Sequence, residues 1–218
     1  MTMKKMFIFL ALLSVTIGTI SAQDLTPNKR LKSGFWMKLG YDATFSNFLY
    51  ADDETHFGSN LADLGVDAQL GTTFYLGPRI GNMLRFGLDA CWLDFSYFKL
   101  NDTYFHNGTD LFLNFLEIGP KISFSPVKYI AFDLYGRVVP SFSLLFYDET
   151  ITNSSTNYSY TGFNVSGLVG ASFRLGVFEM GVEYNFGKMK YIDTKTSDNS
   201  SDSKVNTDNL RILLGFKF

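Results

Sequence analysis

The sequence predicts an all-β fold, an eight-stranded antiparallel up-and-down transmembrane β-barrel, and three observations carry the prediction. The first is alternation across eight segments: 35–45, 66–76, 84–92, 112–124, 130–146, 163–175, 178–186 and 210–218. The 50 alternate positions counted from each segment's first residue hold no Asp, Glu, Lys or Arg, where about nine would follow from the chain's 18% charged composition. The 42 positions between them hold 14 charges, seven basic and seven acidic. Successive side chains of a strand point to opposite faces, so every segment has one charge-free face and one charged face. The second observation is that the charge-free face is the larger and is rich in aromatics, which suits a barrel whose outside meets lipid. The third is that short connections (77–83, 125–129, 176–177) alternate with long ones (46–65, 93–111, 147–162, 187–209). Short turns at one end and long loops at the other are the asymmetry of outer-membrane barrels, with the long loops outside the cell. An even number of strands then leaves both termini at the periplasmic end.

The elements follow in order. Residues 1–22 read as a secretory signal peptide: Lys4 and Lys5 form a positive start, Met6–Val15 an apolar stretch, and Ile20-Ser21-Ala22 a cleavage site before Gln23. Translation from Met1 or from Met3 is open. Residues 23–34 (QDLTPNKRLKSG) read as a periplasmic lead-in, and 35–218 as the barrel. The first strand turns Lys38 and Asp42 inward, the second Asp67, and the third Arg85 and Asp89. Gly77-Pro78 marks the turn between the second and third strands, and Ser125-Pro126 that between the fourth and fifth. The fourth strand carries Glu117 and Lys121. The fifth, 130–146, is the longest apolar stretch of the barrel, but Asp133, Arg137 and Pro140 disfavour a membrane helix. As a strand it sends Phe132, Leu134, Val138 and Phe142 to one face and Asp133, Tyr135, Arg137, Ser141 and Ser143 to the other. The sixth strand carries Arg174, the seventh Glu179 and Glu183, and the eighth Arg211 and Lys217. Pro120 and Pro140 each remove a ladder donor, so each implies a bulge or a register adjustment. Aromatics near the strand ends (Phe35, Tyr41, Phe45, Tyr75, Trp92, Tyr129, Phe146, Tyr184 and Phe218) are expected to form interfacial girdles.

Phe115-Leu116-Glu117-Ile118, then Gly119-Pro120-Lys121, a turn, and a long strand with Tyr135-Gly136 resembles the central motif of small outer-membrane β-barrel proteins of the PorT-like type. Gly181-Val182-Glu183-Tyr184 and the ending Leu210–Phe218 are similar as well. That family usually shows Leu-Glu-Ile-Pro, so Gly119 between Ile118 and Pro120 is a departure. The resemblance covers about residues 35–218 and implies architecture, not activity. It also implies that Phe218, a terminal aromatic on a lipid-facing strand, serves as an assembly signal read by the barrel assembly machinery.

The candidate site is the interior charge network: Lys38, Asp42, Asp67, Arg85, Asp89, Glu117, Lys121, Asp133, Arg137, Arg174, Glu179, Glu183, Arg211 and Lys217. Eight strands enclose just enough room for side chains to fill. Buried charges must pair, so the seven-to-seven balance predicts an ion-paired plug. A proton or ion path and a carboxylate active site are the alternatives. An enzyme would need a base beside its nucleophile. The chain has two histidines, His56 and His106, both expected in long loops, and no Gly-x-Ser-x-Gly or His-Glu-x-x-His motif. A loop triad from His106, Asp102 or Asp110 and a distant Ser is the remaining route.

The first three long loops are expected to be acidic, with Asp52, Asp53, Glu54, Asp63, Asp94, Asp102, Asp110, Asp148 and Glu149 against Lys99. No EF-hand spacing accompanies them. Cys91, the single cysteine, excludes an internal disulfide and is expected inside, between Asp89 and Leu93. The net charge of −2 gives no basic footprint for nucleic acid. The sequence therefore predicts a non-enzymatic outer-membrane barrel, without cofactor or metal, acting through surface loops or in membrane organisation. Its expected partners are outer-membrane lipid, the assembly machinery and an unidentified loop ligand or protein. A small pore and a lipid-modifying enzyme are the alternatives.

Overall fold

Alternating apolar and polar residues bury one face of each strand and leave a row of backbone donors and acceptors to be paired on both edges. A membrane offers no water to satisfy them, so the sheet must close on itself. In the computed structural model, which describes residues 31–44, 64–81, 83–101, 106–151, 154–193 and 204–218, it does. The strands are β1 (Gly34–Thr44), β2 (Leu64–Ile80), β3 (Leu84–Asn101), β4 (His106–Val127), β5 (Ile130–Ile151), β6 (Ser154–Leu175), β7 (Phe178–Phe186), β8 (Lys188–Asp193), β9 (Lys204–Asn206) and β10 (Asn209–Lys217). From β1 to β7 the strands pair antiparallel in chain order, β8 pairs with β6 and β9, and β10 pairs with β7 and returns to β1, with Trp36 opposite Lys217 and Thr44 opposite Asn209. The segments β7 and β8 run along β6 in one register, broken only around Gly187, and β9 and β10 form the stave beside them. Thr207 N donates to Gly187 O across that break at 3.0 Å. The result is a closed barrel of eight staves, and the described residues contain no helix.

The outside is apolar over its whole girth. Leu39, Val66, Phe86, Ile118, Leu134, Val165, Val182 and Leu214 all face outward and are exposed. The inside holds the charges. An apolar outside of this extent is the lipid-facing belt of a transmembrane barrel, and the protein resides in the outer membrane.

The strands outrun the expectation. Strands β4, β5 and β6 each have 22 residues, about twice the 9–11 that cross the hydrocarbon layer. Connections expected as loops at 93–111 and 147–162 are largely strand, and so are the two ends of 187–209. The reason lies in composition. Beyond the membrane both faces meet water, so pairs such as Asp148 with Asn157 and Thr150 with Ser155 extend the ladder without any hydropathic alternation.

Two bulges shift the phase of the alternation. In β3, Gly71 pairs with Cys91 and Leu70 with Leu93, so Trp92 is the extra residue. Cys91 is buried as expected, but Leu93 is exposed rather than interior. In β4, Asn114 pairs with Ser141 and Ile118 with Val138, one residue too many on the β4 side. Leu116 there takes the left-handed conformation (φ 54°), uncommon for a branched residue and typical of a bulge. Asn114, expected on the lipid side, is therefore inside, while Leu113 and Phe115, expected inside, meet lipid. This single bulge serves both prolines. Val139 and Pro140 lie opposite it, and Gly119 and Pro120 follow it without β5 partners of their own. Gly119 is required there, since a Cβ would sit 1.9 Å from Gly136 O.

Candidate functional site

The lumen is filled from its walls, and the largest buried ring systems need glycine opposite them. A Cβ at Gly71 would fall 2.1 Å from the Trp36 ring, and one at Gly170 would fall 2.5 Å from Tyr135. With those spaces open, Trp36 and Tyr135 lie in the middle of the barrel, and both are buried. The guanidinium of Arg137 lies over both rings, 5.6 and 5.2 Å from their centroids. The Lys38 ammonium also faces both, at 4.7 and 5.0 Å.

All fourteen charged residues of the predicted network point inward, thirteen of them buried and Arg85 half-buried. They fall into two groups along the barrel axis. At the short-turn end, Lys121 Nζ bridges Asp89 (3.1 Å) and Asp133 (3.3 Å), while Arg174 pairs with Asp133 at 2.8 Å. Lys38 pairs with Glu179 at 3.0 Å. Lys217 Nζ donates no hydrogen bond to a described group and rests over the Tyr75 ring at 5.2 Å. Arg85 donates to Leu31 O at 2.5 Å, and Ser33 Oγ accepts from Tyr75 N at 2.9 Å, which brings the buried Leu31 against this end of the lumen.

Toward the long-strand end, two guanidiniums serve five carboxylates. Arg137 bridges Glu117 (2.9 Å) and Glu183. Arg211 reaches Asp94 at 2.5 Å, Asp42 at 3.2 Å and Asp67 at 3.8 Å, with Glu183 at 4.0 Å. Gln69 and Tyr135 complete the shell of Glu183, donating at 2.9 and 2.7 Å.

Two of these contacts join strands on opposite sides of the barrel. Lys38 of β1 donates to Tyr135 of β5 at 3.3 Å, and Arg174 of β6 donates to Tyr75 of β2 at 3.0 Å. Arg211 of β10 to Asp94 of β3 and Gln69 of β2 to Glu183 of β7 add oblique ties. These contacts link the walls across the full width of the lumen.

Three more residues lie elsewhere than expected. Asp94 and Asp110, taken from the sequence as loop acids, are buried in the lumen. Asn114 donates to Asp94 at 2.9 Å, and Ser143 donates to Asp110 at 2.5 Å. The bulge at Trp92 hid the first, and the late start expected for β4, at residue 112, hid the second. They join the seven acids of the network, so the balance with seven bases is not even. Tyr75 is no girdle residue either: it is buried, 2.7 Å from Ser123 Oγ. Phe35, Tyr41, Trp92, Tyr129, Phe146, Tyr184 and Phe218 do lie exposed on the outside, and Phe45 falls outside the described residues.

Cys91 Sγ is buried and directed at Leu93 O (3.3 Å) and Leu70 O (3.5 Å), at the bulge. Of the hydrolase candidates, His56 and Asp102 fall outside the described residues. His106 opens β4 opposite Glu149, and Asp110 faces the lumen. Among the described residues no group of three or more His, Cys, Asp or Glu is arranged around a metal site. A cavity of about 20 Å³ lies at the long-strand end, lined by Phe98, Asp110, Phe112, Asn114, Ser141, Asn185, Met189, Thr207, Asn209 and Arg211. A single water needs about 10–15 Å³, so this cavity has room for one or two waters.

No protein-family model and no curated protein matches the chain. Several solved structures align with most of the chain. Ail, the attachment invasion locus protein of Yersinia pestis, is 14% identical, with 86% of this chain and 100% of that one covered at a TM-score of 0.45. Neisserial surface protein A is 16% identical (85% and 99% covered, TM-score 0.41). OprG of Pseudomonas aeruginosa is 17% identical (86% and 97% covered, TM-score 0.41).

Proposed function

We propose that the protein is a non-conducting, non-enzymatic outer-membrane barrel, a scaffold of the PorT-like kind whose work is done by the connections at its long-strand end. The observation that carries this reading is the set of ties from Lys38 to Tyr135 and from Arg174 to Tyr75, which span the lumen between opposite strands. A wall that is rigid and closed inside leaves the connections at its rim as the surface that can vary. The extended hairpin β5–β6, paired from Ile130 with Leu175 out to Ile151 with Ser154, carries such a connection well beyond the lipid. Membrane lipid on the outside, the barrel assembly machinery during insertion, and a ligand or protein at the rim are its proposed partners.

The test is complementation of a strain lacking the protein. One variant has the connections 45–63, 102–105, 152–153 and 194–203 replaced by short turns. Another keeps them and carries Lys38→Met in the lumen. Loss of complementation by the first alone supports the reading; loss by the second alone, with the barrel folded, refutes it. The enzyme alternative is tested separately. His56→Ala with His106→Ala should leave lipid A and phospholipid acylation unchanged by mass spectrometry.

A further inference from the structure

On one side of the barrel the outward face turns abruptly from apolar to basic. Along β7 and β8 the outward positions are Phe178, Met180, Val182, Tyr184, Phe186, Lys188, Lys190 and Ile192, all exposed. The apolar part, Phe178–Phe186, is nine residues long, enough to cross the hydrocarbon layer as a tilted strand. Lys188 is therefore the first outward side chain past the hydrocarbon at the long-strand end, and Lys190 follows one alternation further out.

Strand β9 adds to them. In its register with β8, Lys190 stands opposite Lys204 and Lys188 opposite Asn206. Like charges at directly opposite positions of an antiparallel pair are destabilising. Two lysines in that register, with a third one alternation away, create a repulsion that an anion laid over the strands removes. Lys188 makes no ion pair among the described residues. The neighbouring acid, Asp208, accepts from Gly187 N at 3.1 Å. Around the lysines the outer wall is apolar: Phe163 of β6 stands opposite Lys190, and Phe163 and Val165 are each 59% exposed. Below them Tyr184 and Phe186 stack with centroids 6.3 Å apart. A ligand that fits carries an anionic head level with the lysines and alkyl chains that lie down the strands. Elsewhere on the outward face of this end, Lys99 of β3 stands exposed opposite Thr109, with no basic residue opposite it.

We propose that the β8–β9 ledge binds the phosphorylated headgroup of a glycolipid in the outer leaflet. Lys188 and Lys190 hold the phosphate, the register position of Lys204 adds a third charge, and acyl chains run along Phe163, Val165 and Phe186. Each lysine at an anionic lipid surface contributes roughly fivefold in affinity at low ionic strength, so three contribute about a hundredfold. Salt screens this attraction. The proposal deepens the partnership with membrane lipid and rests on the outward orientation of the long-strand end, but not on the closed lumen.

The experiment titrates the purified barrel, in a neutral detergent at low ionic strength, with monophosphoryl lipid A, and counts bound lipid by native mass spectrometry. Saturable binding is expected, weakened at least about tenfold by Lys188→Gln with Lys190→Gln and Lys204→Gln, and by as much when the lipid is dephosphorylated. Arginine at the same three positions should retain binding, and Lys99→Gln should leave it unchanged. Each variant must keep its compact mobility on unheated gels. Should the triple glutamine variant fail that check, Lys188→Glu alone replaces it, with a loss of roughly fivefold or more expected. Wild-type affinity in the folded lysine variants, equal binding of the dephosphorylated lipid, or an equal loss in Lys99→Gln overturns the proposal. Because the protein is solubilised, the result is independent of its orientation in the membrane, which protease added to intact cells reads separately.

Discussion

Arg137→Met removes one charge from the centre of the lumen while keeping most of the apolar stem that packs against Trp36 and Tyr135. The arginine is buried and bridges Glu117 at 2.9 Å and Glu183. The two carboxylates lose unequal amounts. Glu183 keeps Tyr135 at 2.7 Å and Gln69 at 2.9 Å, with Arg211 4.0 Å away. Glu117 loses its one ion pair among the described residues. Leaving one member of a buried pair unpaired costs about 3–5 kcal/mol, and Glu117 alone accounts for a loss in that range. Arg137→Met with Glu117→Gln removes both charges, and replacing both partners is close to neutral, so the double variant should lie within about 1–2 kcal/mol of the unmodified protein. Unfolding in urea from lipid vesicles, followed by the fluorescence of Trp36 in the lumen and Trp92 on the lipid face, measures both. A single variant that loses less than about 1 kcal/mol, or a double variant no better than the single, would mean that the ion pair does not hold the lumen.

Further outcomes are expected. With Cys91→Ser as background, fluorophores on single cysteines at 113 and 115 should be quenched by lipid-borne quenchers and one at 114 should not; the reverse would remove the bulge at Leu116. Protease added to intact cells should cut within 194–203, whereas cutting within 125–129 instead would invert the barrel in the membrane. Removing Phe216–Phe218 takes away the pairing of Phe216 with Met37 and of Lys217 with Trp36, which close the barrel. The shortened protein should fail to reach the outer membrane, and one that arrives there protease-resistant and heat-modifiable would show that the last strand is dispensable.

Much of this barrel was legible because lipid imposes a strict rule on one face. In β1, β5, β6, β7 and β10 the alternation runs unbroken through the membrane, and inward and outward residues follow by counting. Legibility failed where the rule lapses. A bulge adds one residue and inverts every assignment beyond it, which is why Asn114 was placed in lipid and Leu93 inside. Phe112 and Pro120 are eight residues apart, so plain alternation puts both on one face. In the structure Phe112 lines the lumen and Pro120 is exposed outside, and no count along the strand reveals the switch between them. Beyond the lipid, polar residues on both faces of β5 and β6 leave no periodicity to count, so the hairpin was read as a loop. Individual pairings were illegible for another reason. Lys38 meeting Glu179 and Tyr135 depends on strand stagger and on the space over Gly71 and Gly170, and neither is encoded in the local pattern. The balance of seven bases and seven acids was suggestive, yet Asp94 and Asp110 show that it was incomplete.

The central claim is that cross-lumen pairing closes the barrel, and single-channel recording of the purified protein in planar lipid bilayers tests it most directly. The unmodified protein should show no steady conductance. Stable ohmic channels, reproducible between preparations and abolished by heat denaturation, would contradict the closed lumen and make the protein a pore.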